Sequence, residues 1–284
     1  MNKCTLCPRQ CGIDRDTRKG ACHAQSEAVV NLYQLHFGEE PIISGEAGSG
    51  TVFFSGCSLG CIFCQNYKIS NTGSGEVKSP SELADIYLEL QSKGANNINL
   101  VTPMHFATKV AESIRIAKDA GLVIPVAINT GGYDSVETLR VFDGLVDIYM
   151  PDFKFWSPSI ASELAHAPDY RERAIEAIAE MYRQTGSPVI GDDGMLKKGI
   201  IVRHLHLPGK LFDSKHILDY LLETYGNNIF ISLMSQYTPM PQLANMPNCP
   251  DYMKRTVNPE HYDRLIDILA YSDQENCFAQ ELAS

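Results

Sequence analysis

Short apolar runs alternate with segments of helical periodicity along most of this sequence, and that alternation restricts the fold more than any other feature. The apolar runs fall at 52–54, 97–101, 123–128, 146–150, 199–205 and 229–233. Each run after the first follows a stretch whose apolar residues recur at helical spacing. One such helix is expected to begin at the capping box Ser79-Pro-Ser-Glu82, with proline at its first position, and another is expected over 159–184. Repeated strand–helix units with right-handed crossovers form a barrel or an open parallel sheet. We therefore predict an α/β fold with six strands in an incomplete (β/α)6 barrel.

Polar and glycine-bearing clusters follow the ends of these runs. They are Cys57–Cys64, Thr102–His105, Asn129–Gly132, Asp152–Lys154, Arg203–His206 and Ser235–Tyr237. Sites in parallel α/β proteins form beyond the carboxyl ends of the strands, so we expect the six clusters to meet at one barrel mouth. No G-x-G-x-x-G follows the first run, which argues against a dinucleotide-binding domain.

Three cysteines, Cys57, Cys61 and Cys64, share the loop after the first run with the spacing C-x3-C-x2-C. Soft thiolate ligands crowded on a glycine-bearing loop favour a metal site. Common iron–sulfur clusters take four cysteines, so three would leave one iron of a cubane without a protein ligand. Zinc with a fourth ligand from elsewhere, and metal-free buried thiols, are the alternatives.

Four further cysteines, Cys4, Cys7, Cys11 and Cys22, stand near the start of the chain in the pattern C-x2-C-P-x2-C-x10-C. This pattern predicts a second metal site, which could be structural zinc or another iron–sulfur cluster. Nearby arginine and lysine side chains slightly favour zinc or another structural metal, and unmetallated thiols in a frayed terminus are the alternative. We divide the chain into a cysteine-rich segment with a strand–turn–strand (1–47), the barrel (48–240), and a proline-rich loop with a final helix (241–284). The second strand of the first segment is expected to carry Ile42 and Ile43.

Charge and hydropathy narrow the class of protein. The formal net charge is −10 and no long basic run is present, which argues against nucleic acid as a partner. No apolar stretch is long enough to cross a membrane and the first residues do not resemble a secretory leader, so we expect a cytoplasmic protein. In that reducing compartment the nine cysteines are expected to be metal ligands rather than disulfides.

The three-cysteine loop, with Phe63 in the aromatic position, resembles the cluster motif C-x3-C-x-(aromatic)-C of the radical S-adenosylmethionine (SAM) superfamily. The resemblance implies a 4Fe-4S cluster on Cys57, Cys61 and Cys64, with SAM chelated at the open iron. It also implies that one electron, from a donor such as flavodoxin or ferredoxin, cleaves SAM into methionine and a 5′-deoxyadenosyl radical that abstracts hydrogen. Phe63 is implied to lie near the adenine.

Several further segments together resemble a family of pyruvate formate-lyase activating enzyme homologues of unassigned substrate. They are the N-terminal cysteines, Asn129-Thr-Gly-Gly-Tyr, Pro-Asp-Phe-Lys154, Arg203 with Leu-Pro-Gly209, and Ser-Gln-Tyr237-Thr-Pro. The resemblance implies that Asp152 and Lys154 line the SAM and substrate side of the site and that Arg203 helps to hold SAM. Activating enzymes hold the methionine amino group with a Gly-Gly-Glu-Pro segment, but this chain has Thr102-Pro-Met-His105 there, which makes Thr102 the candidate.

The chemistry of SAM binding requires similar residue types, independently of the resemblance. An arginine fork suits a carboxylate, and Asn129 and Asp152 supply acceptors for an ammonium group and a ribose. Asp152 and Lys154 could equally form a structural ion pair. His105, Lys154 and His206 are the candidate catalytic residues.

Three functions follow as expectations. The first is a radical oxidoreductase that activates a glycyl radical enzyme, and the second is radical modification of a small molecule or peptide. The third is a non-enzymatic iron–sulfur or zinc protein. The proline-rich stretch 238–257 is expected to lie across the barrel mouth as a lid.

Overall fold

The structure, a computed structural model, describes residues 3–282, so the outermost two residues of the predicted N-terminal and C-terminal segments lie outside it. The strands are β1 (Ala28–His36), β2 (Ser49–Phe54), β3 (Glu76–Lys78), β4 (Ile98–Val101), β5 (Val126–Thr130), β6 (Ile148–Pro151), β7 (Val189–Ile190), β8 (Leu196–Leu205), β9 (Phe230–Met234) and β10 (Cys277–Ala279). The helices are α1 (Pro41–Ser44), α2 (Tyr67–Thr72), α3 (Pro80–Ser92), α4 (Ala107–Asp119), α5 (Val136–Leu139), α6 (Pro158–Ala165), α7 (Tyr170–Thr185), α8 (Leu211–Thr224) and α9 (Pro259–Ala270).

Six adjacent strands, β2-β4-β5-β6-β8-β9, run parallel and form the centre of the sheet. Helical crossovers separate them, as parallel neighbours require. The sheet is not closed: β1 pairs antiparallel with β2 at one side and β10 pairs parallel with β9 at the other. The predicted incomplete (β/α)6 barrel is confirmed, whereas β10 had no counterpart in the predicted elements.

Helix α3 shows how local sequence sets an element. Ser79 accepts a hydrogen bond from the backbone of Glu82, the Glu82 side chain binds back to the backbone of Ser79, and Pro80 occupies the first turn. These are the capping box and the N-terminal proline expected from the sequence. The apolar side chains of the helix, which include Leu83 and Leu90, are buried.

The segment between β1 and β2 differs from the prediction. Ile42 and Ile43 were expected in a strand, but Pro41 begins a single helical turn, α1. Adjacent residues of a strand face opposite sides, whereas a helical turn lets both isoleucines approach one apolar cluster. Ile43 is fully buried in that cluster with Ala127, Ile148, Met150, Leu196, Ile201 and Phe230, while Ile42 packs against it. Because most of these side chains come from the parallel strands, α1 plugs the interior of the barrel.

The helical stretch expected at 159–184 is two helices, α6 and α7. His166 between them has a φ of +50° and caps the end of α6 in a left-handed conformation. Pro168 follows two residues later and cannot continue a regular helix. Among residues 3–282, no helix has the length and apolar character needed to cross a membrane.

Candidate active site

A cavity of about 580 Å³ opens at the carboxyl ends of the parallel strands. Its lining includes nine of the residues predicted for the site, from the loop after β2 and from the ends of β4, β5, β6 and β8. These are Cys57, Cys61, Phe63, Cys64, Thr102, Asn129, Asp152, Lys154 and Arg203. His105 and His206 do not line it. Five of the six predicted clusters contribute these side chains to the lining of the cavity. The sixth cluster, Ser235–Tyr237, contributes Gln236.

The cysteine loop is held by its own backbone. The Leu59 N–H donates to Sγ of Cys57 at 3.4 Å, and the Cys64 N–H donates to the carbonyl of Cys61 at 3.2 Å. Gly56 has a φ of +90°, and a Cβ at that position would lie 2.4 Å from the carbonyl oxygen of Cys22. Only glycine fits this turn, which directs the cysteines into the cavity.

Cys57, Cys61 and Cys64 line one cavity and could supply three thiolate ligands to an iron–sulfur cluster, whose cysteines are distributed over several iron atoms. Within residues 3–282, no group of three cysteine, histidine or acidic side chains has the geometry of a single-ion site. Burial raises the pKa of the Cys57 and Cys61 thiols, so deprotonation depends on a bound metal. The charge of Lys154 acts on both and offsets that of the thiolates.

Beside the cysteines, Asp152 joins Lys154 to Arg203. Arg203 donates from Nε to Oδ1 of Asp152 at 3.0 Å, and Lys154 Nζ lies 2.5 Å from Oδ2. Burial alone would raise the pKa of Asp152, but the two cations outweigh it and hold that pKa below its usual value. Arg203 also donates to Oδ1 of Asn129 at 2.5 Å. Most of the guanidinium is therefore occupied by partners within the chain.

Thr102 has an unusual backbone conformation. Its φ is +58°, a left-handed value that β-branched residues rarely adopt. The Thr102 N–H donates to the carbonyl of Asn129 at 2.8 Å, which ties the residue to the end of β5. Such strain persists where the surroundings enforce it, and it clusters at functional sites.

Glu39 belongs to the cavity but was not predicted. Asn99 donates to its Oε1 at 3.0 Å, and Arg203 Nη1 lies 3.4 Å from its Oε2. Burial raises the pKa of Glu39 against the effect of Arg203. Gly38-Glu-Glu-Pro41 is similar to the Gly-Gly-Glu-Pro segment of the activating enzymes. It precedes β2, however, whereas the activating enzymes carry that segment after the second strand. Glu39 lies just before α1, and it reaches the cavity because α1 packs into the interior of the barrel.

His105 lies behind the cysteine loop rather than in the cavity. Its Nε2 is 2.8 Å from the carbonyl oxygen of Ser55, and its ring is buried. Burial lowers the pKa of His105 to about 4, so the ring is neutral and Nε2 donates to the carbonyl. This position gives His105 a structural role at the start of the loop and does not support its candidacy as a catalytic residue.

His206 lies on the helix side of the sheet. Nδ1 of His204 faces the carbonyl of Phe153 at 2.7 Å and must therefore carry the proton. Ser214 then donates to Nε2 of His204 and accepts from Nδ1 of His206, each at 2.8 Å. Nε2 of His206 is left buried without a partner among the described residues. The alternation of β8 places Arg203 in the cavity and His206 away from it, against the prediction of a catalytic role.

Two other predicted features lie outside the cavity. Cys4, Cys7, Cys11 and Cys22 lie on the outer side of the cysteine loop, where the carbonyl of Cys22 accepts the Cys57 N–H at 3.1 Å. The stretch 238–257, all within the described residues, packs beside the mouth and supplies no lining residue. It approaches the loop through Gln242, whose Nε2 lies 3.5 Å from the carbonyl of Cys64. It is therefore not the lid that was expected.

The fold and the site together define a partial-barrel α/β protein with a candidate thiolate metal site at its mouth. The radical SAM superfamily domain matches residues 51–233, well over half of the chain. The chain belongs to the radical SAM superfamily, which consists of enzymes that use an iron–sulfur cluster and SAM. The superfamily predicted from the cysteine loop is thus confirmed.

The individual relatives share little sequence identity with this chain. An uncharacterized protein of Methanocaldococcus jannaschii, MJ0674, is 28% identical over 253 residues, which covers 84% of this chain and 67% of that protein. SuiB of Streptococcus suis, in a structure with SAM bound, has a TM-score of 0.52 at 13% identity and is matched over 79% of this chain and 48% of its own. A radical SAM methyltransferase from Sphaerobacter thermophilus has a TM-score of 0.55 at 15% identity, over 82% and 66% respectively. The chain spans about half of SuiB and just under two thirds of the methyltransferase, and both likenesses concern the fold.

Proposed function

We propose that this protein is a radical SAM oxidoreductase that holds a 4Fe-4S cluster on Cys57, Cys61 and Cys64. One observation carries the proposal: the three thiols line the same cavity as the network formed by the buried Asp152 with the partly buried Lys154 and Arg203. Three cysteine ligands leave one iron open, and charged groups lie where a charged cofactor would contact the protein. A complete fourth ligand at this loop would instead suit an electron carrier.

A 4Fe-4S cluster on Cys57, Cys61 and Cys64, with SAM at its open iron, would supply the reactive chemistry, which is reductive cleavage of SAM and abstraction of hydrogen from the substrate. The chain positions the reactants and excludes water. Lys154 offsets thiolate charge, while Arg203 orders Asp152 and Asn129 as hydrogen-bond acceptors. Thr102 offers polar backbone and side-chain groups beside them, and Phe63 offers an aromatic ring. Flavodoxin or ferredoxin is the proposed electron donor.

The proposed substrate is a glycyl radical enzyme, in keeping with the resemblance to pyruvate formate-lyase activating enzymes. The position of 238–257 supports this, because a mouth that this segment leaves uncovered can receive a loop of another protein. A small molecule or peptide is the second candidate. The mouth that 238–257 leaves uncovered would admit either of these to the cavity as well.

Anaerobic reconstitution with iron and sulfide, followed by dithionite and SAM, tests the proposal. We expect 5′-deoxyadenosine from the wild type and from Cys249→Ala, and none from Cys61→Ala. Cys249 is buried outside the cavity, so it controls for loss of a thiol. A fully reconstituted wild type that forms no 5′-deoxyadenosine would favour a non-enzymatic iron–sulfur protein. Transfer of deuterium from a glycine-deuterated peptide into 5′-deoxyadenosine would support a glycyl substrate.

A further inference from the structure

The four N-terminal cysteines lie near one another in a segment without regular secondary structure. The Cys4 N–H donates to the carbonyl of Ile13 at 2.9 Å, which closes the segment on itself. A Cβ added at Gly20 would lie 3.3 Å from Sγ of Cys22 and 3.6 Å from Sγ of Cys11. Cys4, Cys11 and Cys22, when ionised, would each raise the pKa of Cys7. The fold of this segment thus brings the four thiols close together.

Backbone amides lie near these sulfur atoms and act on their pKa values. Burial raises the pKa of Cys7 and of Cys22, while the backbone of Arg9 lowers the former and that of Ala24 lowers the latter. At Cys57 the Leu59 N–H donates to Sγ at 3.4 Å. Such donors stabilise the negative sulfur of a thiolate ligand more than a neutral thiol. Backbone donors near the sulfur are thus common to the N-terminal thiols and the cluster loop.

The segment has almost no apolar core to account for its order. Residues 3–27 contain no helix or strand, and their buried apolar side chains are Cys7, Cys22 and Ala24. Two of these three are themselves cysteines. Short segments that cannot bury enough apolar surface commonly depend on a metal, whose binding energy then contributes to folding.

The segment also holds the cluster loop in place. Besides the bond from Cys57 to Cys22, Arg9 donates from Nε to the carbonyl of Ser58 and from Nη2 to that of Leu59, each at 2.9 Å. Gly56 packs directly on the Cys22 carbonyl. Displacement of Cys22 and Arg9 together would remove hydrogen-bond partners from three residues of the loop.

We propose that Cys4, Cys7, Cys11 and Cys22 form a second metal centre with four thiolate ligands, and that its occupancy orders the loop of residues 55–64. Zinc and a second iron–sulfur cluster satisfy the same ligand chemistry. With four thiolates, either a zinc ion or a cluster would have a complete set of protein ligands. This centre is therefore distinct from the open-iron site and does not depend on SAM cleavage.

Metal analysis of the full chain tests the proposal. Iron, zinc and sulfide are measured in anaerobically purified wild type, in Cys57→Ala/Cys61→Ala/Cys64→Ala, and in Cys4→Ser/Cys22→Ser. We expect the triple variant to retain about one zinc or about four iron with sulfide, and the double variant to lose that amount. Cys277→Ser, which removes a distant thiol, should match the wild type. A triple variant without tightly bound metal, or a double variant with wild-type metal content, would overturn the second centre.

Hydrogen exchange tests the effect on the loop. The amides of residues 55–64 should exchange faster in Cys4→Ser, whose altered side chain is only half-buried and whose fold is checked by circular dichroism. Amides of α8, far from the N-terminal segment, serve as the internal reference. Unchanged exchange at Cys57 in a variant that has lost the N-terminal metal would disprove the ordering role while leaving the proposed SAM chemistry untouched.

Discussion

Arg203 and Asp152 are joined twice across neighbouring strand ends: Nε of Arg203 donates to Oδ1 of Asp152 at 3.0 Å, and the two residues form an isolated parallel β-bridge. Backbone pairing therefore fixes the distance between the buried charges. Lys154 adds a second cation to the same carboxylate.

Asp152→Asn should destabilise the protein strongly. The substitution keeps the size of the side chain but leaves the partly buried Arg203 and Lys154 without their shared counterion. Breaking a buried pair in this way costs about 3 kcal/mol or more. Asp219→Asn breaks the exposed pair with Lys215 and should change stability by less than about 1 kcal/mol. Thermal unfolding of both variants distinguishes them, and similar shifts would mean that the Asp152 pair is not effectively buried.

Gly56→Ala should abolish iron loading, whereas Gly60→Ala should not. Both glycines have positive φ, +90° and +68°, so both substitutions introduce strain of roughly 1 kcal/mol or more. A Cβ at position 56 also meets the Cys22 carbonyl at 2.4 Å, but one at position 60 has no neighbour within 4 Å. Iron content after reconstitution is the measurement. Equal loading of the two variants would show that contact with Cys22 does not shape the loop.

Thr102→Gly should stabilise the cofactor-free protein while weakening SAM binding. Glycine removes the strain of a φ of +58°, and after its own entropy cost the net gain is up to about 1 kcal/mol. The threonine side chain at the cavity is lost in exchange. Melting temperature and calorimetric SAM affinity test the two effects. A lower melting temperature would indicate that packing of the side chain outweighs the strain.

His206→Asn should make stability less dependent on acid pH. Burial, aided by the charges of His204 and His261, lowers the pKa of His206 to about 3. The unfolded chain binds a proton near pH 6.5 while folded His206 stays neutral, so stability decreases as pH falls from about 6.5 towards 3, by about 1.4 kcal/mol per pH unit. Asparagine preserves a donor for Ser214 and does not titrate. Urea unfolding between about pH 7 and pH 5 should give a smaller slope for the variant, and an unchanged slope would contradict the assignment.

The predictions from sequence were strongest where spacing along the chain is sufficient. Periodicity located all six parallel strands, and the capping box at Ser79 correctly predicted where α3 begins. The cysteine loop identified the superfamily. The predictions were wrong where contacts between distant parts of the chain determine the structure. Ile43 lies in a helical turn because it packs into the interior of the barrel, and β10 forms because it pairs with the edge of β9.

The sequence by itself determined the order of the six parallel strands, the superfamily, and the set of polar residues at the strand ends, because these depend on local periodicity and motif spacing. Tertiary structure decided which side of the sheet each polar residue faces. Strand alternation is the same whichever face is inside, so only packing could bring Arg203 to the cavity and place His206 behind the sheet. Packing alone also brought Glu39 into the cavity and Cys22 against Cys57, since both contacts join parts of the chain that no local pattern connects.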